Sequence, residues 1–224
     1  MRASASLAAG SVLLALLSGC GLGLMQTART TPPGELDANV AAGYVYNQMI
    51  EERGHALTNF QLQLGLRYGV CEQLDLGASL FMGVGALLDA KYNFLPADLP
   101  LAAALQAGFG AARDIGSGAT VLHLPLRAVV SYDFLSGWLI PYAGLGLGLF
   151  WILGYGGEAH ADGELVGRTG SGDGLIMLSA GLALFGGTAC ALYVEYSWWR
   201  PVLDDPGDRF AFADNHIFMA GVRF

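Results

Sequence analysis

Charge is scarce in this sequence. Of 224 residues only 13% are Asp, Glu, Lys or Arg, about half the roughly 25% carried by an ordinary soluble domain. Basic residues are scarcer than acidic ones, 11 against 19, for a net charge of −8. No basic patch with interleaved aromatics is present, which excludes a nucleic-acid-binding surface. Cysteine is limited to three residues, with no metal-spaced Cys/His set and no phosphate-cradling glycine loop. What is abundant is apolar: 54% hydrophobic residues and 33 glycines, with a mean hydropathy of +0.46. That content excludes disorder and implies apolar surface turned toward lipid rather than water.

Residues 1–19 read as a secretory signal. Arg2 supplies the positive start, and Leu7 to Leu17 form an apolar stretch too short to span a bilayer stably. The run Leu17-Ser18-Gly19-Cys20 resembles the lipobox of bacterial lipoproteins. That resemblance implies cleavage before Cys20, covalent lipid on its thiol and amino group as the one prosthetic addition, and contact with the lipoprotein-processing machinery. Gly21, in place of Asp after the cysteine, implies transfer to the outer membrane. Residues 20–34 (CGLGLMQTARTTPPG) have no period and end in Pro32-Pro33-Gly34, so they read as an acylated linker without a fold of its own.

From residue 35 to 224 the apolar residues alternate. Leu36, Ala38, Val40, Ala42 and Tyr44 oppose Asp37, Asn39 and Gly43; Phe60, Leu62, Leu64, Leu66 and Tyr68 oppose Gln61, Gln63, Gly65, Arg67 and Gly69. The same parity recurs in segments beginning near residues 74, 86, 101, 121, 144, 178, 192 and 218. A period of two is a strand and not a helix. One face of nearly every segment is apolar and the other is Gly, Gln, Asn, Ser and mixed charge, while no helix remains to cover the apolar side. The economical fold is all-β: a transmembrane antiparallel up-and-down barrel of about ten strands, eight being the next choice, with apolar residues toward lipid. Short connections at Cys71 to Gln73, Pro96 to Asp98, Asp133 to Gly137 and Gly186 to Thr188 alternate with longer ones at 48–57, 112–119, 154–174 and 200–214. A tight glycine hairpin at Gly83 to Gly85 is the exception. The competing architecture is a helical inner-membrane protein, since residues 134–157 and 174–194 are long and nearly charge-free. Pro141 and the alternating Gly144, Gly146 and Gly148 argue against it.

Phe218, Ala220, Val222 and Phe224 resemble the carboxyl-terminal signal by which the barrel-assembly machinery recognises its substrates. The chain is thus similar to small bacterial outer-membrane β-barrels, porin-like and OmpA-like. The resemblance implies contact with outer-membrane lipid and lipopolysaccharide; protein partners are not identified by it.

Parity turns Asp37, Asp75, Asp89 and Glu195 inward together with Arg67, Lys91, Arg127 and Arg223. Four acids and four bases predict a self-neutralising lumenal network, with Asp37 and Arg223 meeting where the first and last strands close the barrel. A selectivity ring or proton path is the alternative reading of the same residues. Parity also separates Cys71, read as inward, from Cys190, read as outward. An enzyme would need a nucleophile beside a base. His123, Ser131 and Ser79 face inward without a spacing that joins them, and His160 with Asp162, or Asp214 with His216, is a loose pairing near the outer loops. Asp204, Asp205 and Asp208 read as a solvated acidic loop, although carboxylates at that density suit Ca²⁺ or ion bridges to lipopolysaccharide. The function expected is a non-enzymatic envelope or surface-interaction barrel with at most a narrow pore and no metal. A lipid-modifying or proteolytic barrel and a substrate-specific channel are the alternatives.

Overall fold

A computed structural model of the chain describes residues 25–48, 56–81, 85–113, 120–153, 171–185, 190–201 and 215–224. Ten strands are described: β1 (Leu36–Gln48), β2 (Ala56–Cys71), β3 (Leu74–Phe81), β4 (Gly85–Asn93), β5 (Leu101–Arg113), β6 (Thr120–Tyr132), β7 (Leu139–Leu153), β8 (Ser171–Phe185), β9 (Ala191–Pro201) and β10 (Asn215–Arg223). Each pairs antiparallel with its neighbour in sequence, and β1 pairs with β10, so the sheet closes. A closed sheet has no unpaired edge, the condition for placing strands in hydrocarbon.

Alternation is realised as burial. In β3 every second residue from Asp75 to Phe81 is buried and the residues between are exposed. Leu64, Leu66, Leu145 and Leu147 are exposed on the outer face, while Gln63, Arg67 and Tyr142 are buried inside. Aromatic pairs mark two levels of the outer face. At the end carrying the short turns, Tyr92 stacks near Phe94 at 5.3 Å and Tyr132 near Phe134 at 4.6 Å; toward the opposite end Tyr44 lies 5.8 Å from Phe60 and Tyr196 5.0 Å from Phe218. An apolar band between two aromatic girdles is how a barrel matches a bilayer and its interfaces. Among the described residues no helix is long and apolar enough to cross a membrane, and both stretches that could have been helices are strands.

The seam falls where parity placed it. Asn39 opposes Arg223 and Val40 opposes Val222, Ala38 and Phe224 exchange two backbone hydrogen bonds of 2.9 Å, and the Arg223 guanidinium pairs with the Asp37 carboxylate inside the closure. Phe218, Ala220, Val222 and Phe224 all stand on the outer face.

Two readings are corrected. Residues 25–34, expected to be a structureless linker, enter the lumen: Met25, Thr27, Ala28 and Thr31 are buried, and Pro33 bridges Gly69 in parallel. The physical reason is that the barrel's inner wall offers buried polar groups that this segment's backbone can satisfy. Cys71, expected inward, is exposed because a bulge between Gly69 and Cys71 breaks the register at the end of β2. Cys190 is also exposed, and both are free thiols. The signal segment 1–19, Cys20, the Gly83 hairpin and most of the longer connections lie outside the described residues.

Candidate functional site in the barrel lumen

The lumen has two levels, and the order of residues along the strands sets them. Toward the short-turn end the inward positions carry charge. Arg67 of β2 opposes Gly77 of β3, and Gly77 opposes Asp89 of β4. The guanidinium therefore reaches over the glycine to Asp89, and it also reaches Asp75 two residues along β3. A Cβ at position 77 would stand 2.4 Å from Arg67 Nη2 and 2.7 Å from Asp89 Oδ2; glycine there lets the ion pair cross the wall. Lys91 Nζ approaches Asp75 at 3.3 Å. These groups are almost wholly enclosed, so each charge depends on its partner for what water would otherwise supply.

Glu195 of β9 gathers neutral donors as well. Its carboxylate accepts hydrogen bonds from the Tyr142 hydroxyl at 2.9 Å, the Ser197 hydroxyl at 2.8 Å and the backbone N–H of Met25 at 2.7 Å. Arg127 of β6 places Nη2 3.6 Å from Met177 Sδ, beside a small recess that it lines with Ser179, Ser197 and Trp199.

The residues that sequence reasoning missed are those of the N-terminal segment. Arg29 crosses the short-turn mouth, where its guanidinium donates to Asp133 Oδ2, to the Ala97 carbonyl at 3.0 Å and to the Leu99 carbonyl. Thr30 Oγ1 donates to the Glu72 carbonyl at 2.6 Å, and Thr31 Oγ1 to Asp37 Oδ2 at 2.6 Å. Inside, Ser131 Oγ accepts the Ala28 N–H at 3.2 Å and Asp75 Oδ2 the Thr31 N–H at 2.9 Å. Lys91 Nζ donates to the carbonyls of Thr27 at 3.2 Å and Arg29 at 2.5 Å. A Cβ at Gly69 would come within 2.0 Å of the Pro32 carbonyl oxygen, so glycine is what admits the segment past β2. The signal available beforehand was steric: Ala102 and Ala104 leave the short-turn end of the inner face of β5 almost without side chains, and something had to fill that space.

Beyond Met25 the lumen holds an apolar cluster beside the buried polar side chains of Gln61, Gln63 and His123. Val45, Val121, Phe150, Met177, Trp199 and Ile217 are buried in one cluster that also includes Met25 and Ala28. The upper level is packed as a core, with side chains from β1, β6, β7, β8, β9 and β10 meeting across the barrel.

Among the described residues His123 and Ser131 do not come together. His123 and Ser131 are both buried on the inner face of β6, but eight residues at about 3.3 Å each separate them by roughly 26 Å, and Ser131 is engaged by the N-terminal segment. His216 stands on the outer face, with Nδ1 2.8 Å from the Tyr196 hydroxyl. His160, Asp162, Asp204, Asp205, Asp208 and Asp214 lie outside the described residues. No group of three His, Cys, Asp or Glu suited to a metal occurs among the described residues.

A closed ten-strand antiparallel barrel with an apolar outer band has the fold of bacterial outer-membrane β-barrel proteins. No protein family matches the chain, and no curated protein matches it. Solved structures do. The outer membrane protease OmpT from Escherichia coli is similar with a TM-score of 0.51 at 12% identity, over 88% of this chain and 99% of that one. Neisserial surface protein A is similar with a TM-score of 0.40 at 12% identity, over 84% and 95%. The N-terminal β-barrel domain of Pseudomonas aeruginosa OprF is similar with a TM-score of 0.41 at 12% identity, over 85% and 97%. At 12% identity the likeness to OmpT establishes the fold and no activity.

Proposed function

We propose that this chain is a non-enzymatic barrel of the outer membrane, closed to solutes or nearly so, that acts as an envelope component or through its outer loops and is held additionally by acyl chains on Cys20. The observation that carries the reading is that the chain's own atoms occupy both levels of the lumen: residues 25–31 at the short-turn end and the Trp199 cluster above. A general pore needs a wider ring, 16 to 18 strands in the porins, before side chains stop filling the interior. The outer band and girdles suit bilayer lipid, with lipopolysaccharide at the outer rim and the assembly and lipoprotein-processing machineries as transient partners. Four residues lie between Cys20 and Met25, five steps along the chain and a leash of at most about 17 Å, which ties the lipid anchor closely to the barrel.

One preparation tests both halves of the reading. Protein grown with a labelled fatty acid and purified into planar bilayers is expected to carry label in the wild type and none in Cys20→Ser, with no large steady openings in either. Equal labelling would remove the lipid anchor, and large steady conductance would move the assignment to a channel.

A further inference from the structure

The groups that hold residues 25–31 address its backbone as well as its side chains. Along the segment, the N–H of Met25 goes to Glu195, the carbonyls of Thr27 and Arg29 to Lys91, the N–H of Ala28 to Ser131 and the N–H of Thr31 to Asp75. Lysine, with three donors and no acceptor, is suited to carbonyls, and carboxylates to N–H groups. The lumen thus presents donors and acceptors to the backbone of a peptide that bends at Ala28, where Lys91 reaches the carbonyls on both sides of the bend. Two side-chain features add selectivity. Ala28 is fully buried, leaving room for a small residue only. Arg29 enters a notch made by Asp133 and the carbonyls of Ala97 and Leu99, three acceptors from two short turns. The segment joins the wall through a single isolated bridge, Pro33 to Gly69, and not through a ladder of strand hydrogen bonds, so its contacts are those of a bound ligand.

We propose that the short-turn half of the lumen is a peptide-binding cradle, filled in cis by residues 25–33, that accepts in trans a peptide bent at a small residue followed by arginine when its own segment is displaced. The side chains packed above, from Trp199 and Phe150 to Gln63 and His123, make the cradle blind, so a peptide enters and leaves by the short-turn mouth. That mouth faces the periplasm if the outer-membrane reading is right; the cradle itself does not depend on it.

The test uses the full chain carrying Ala28→Asp and Arg29→Glu, which sets new negative charge against Asp75, Glu195 and Asp133 and expels the segment. A fluorescent synthetic peptide with the wild-type sequence of residues 25–34 is titrated in detergent and read by anisotropy, with retention of heat-modifiable migration showing that the barrel is intact. Saturable binding to the variant is expected. Binding to the wild type should be at least tenfold weaker, because its own tethered segment competes at high effective concentration. The peptide with alanine in place of its arginine should also lose at least tenfold. If the double variant does not give a heat-modifiable barrel, the single Arg29→Glu variant, altered only at the mouth, replaces it. Failure of a folded variant to bind, equal binding by the wild type, or equal binding of the arginine and alanine peptides would overturn the cradle. A conducting wild type would instead overturn the closed-barrel reading and leave the peptide titration interpretable.

Discussion

Arg67→Met is expected to destabilise the barrel by about 3–5 kcal/mol, the range observed when one partner of a buried ion pair is removed and the other is left behind. Arg67 serves two carboxylates at once, Asp75 and Asp89, and both are buried. Methionine fills much of the same space, so the loss comes from charge and not from a cavity. Asp75 keeps Lys91 at 3.3 Å and the Thr31 N–H at 2.9 Å; the larger burden therefore falls on Asp89. Arg67→Lys should recover part of the loss, since a point charge cannot bridge two carboxylates as the planar guanidinium does. Adding Asp89→Leu to Arg67→Met should cost less than the sum of the single changes, because it removes the charge that the first change stranded. Urea unfolding followed by loss of heat-modifiable migration measures all four. A loss below about 1 kcal/mol for Arg67→Met would mean that water reaches this level of the lumen.

Trp199→Ala is expected to have a comparable effect by a different route. The side chain is only 1% exposed, and it sits between Met177 of β8 and Asn215 of β10 in the register, facing the interior. Truncating a buried tryptophan typically costs about 3–5 kcal/mol, from lost contacts and the cavity left behind, and a closed strand ring can collapse around that cavity only slightly. The void would merge with the recess beside Arg127 and Ser179. The same gel assay measures the loss without relying on tryptophan fluorescence. An effect near zero would mean that the upper level is not packed as described.

The strands were legible because their signal is local. In β2 and β3 the alternation from Phe60 to Val70 and from Leu74 to Leu80 is a property of neighbouring residues, and the inward facing of Arg67, Asp75 and Asp89 follows from it. Which acid Arg67 would choose was not legible, since that depends on the register that sets Gly77 between them. The meeting of Asp37 with Arg223 could be anticipated because closing an even-stranded barrel forces its ends together. The neutral donors on Glu195 escaped the same logic: charge counting says nothing of the Tyr142 and Ser197 hydroxyls or the Met25 amide that reach it. The N-terminal segment was illegible for a related reason. MQTARTTPPG has no period, because its partners are side chains scattered over β3, β4, β6 and β9 and not a neighbouring strand. Composition of that kind reads as a linker whether it lies in water or in a lumen.

The measurement that bears most directly on the filled lumen is amide hydrogen exchange of the intact protein in detergent micelles, read residue by residue across 25–34. The amides of Met25, Ala28 and Thr31, each bonded to a buried lumenal side chain, should exchange orders of magnitude more slowly than an unstructured peptide of the same sequence. Exchange at the free-peptide rate at all three, with the amides of β1 to β10 still protected, would show that the segment lies outside the barrel and would contradict the account.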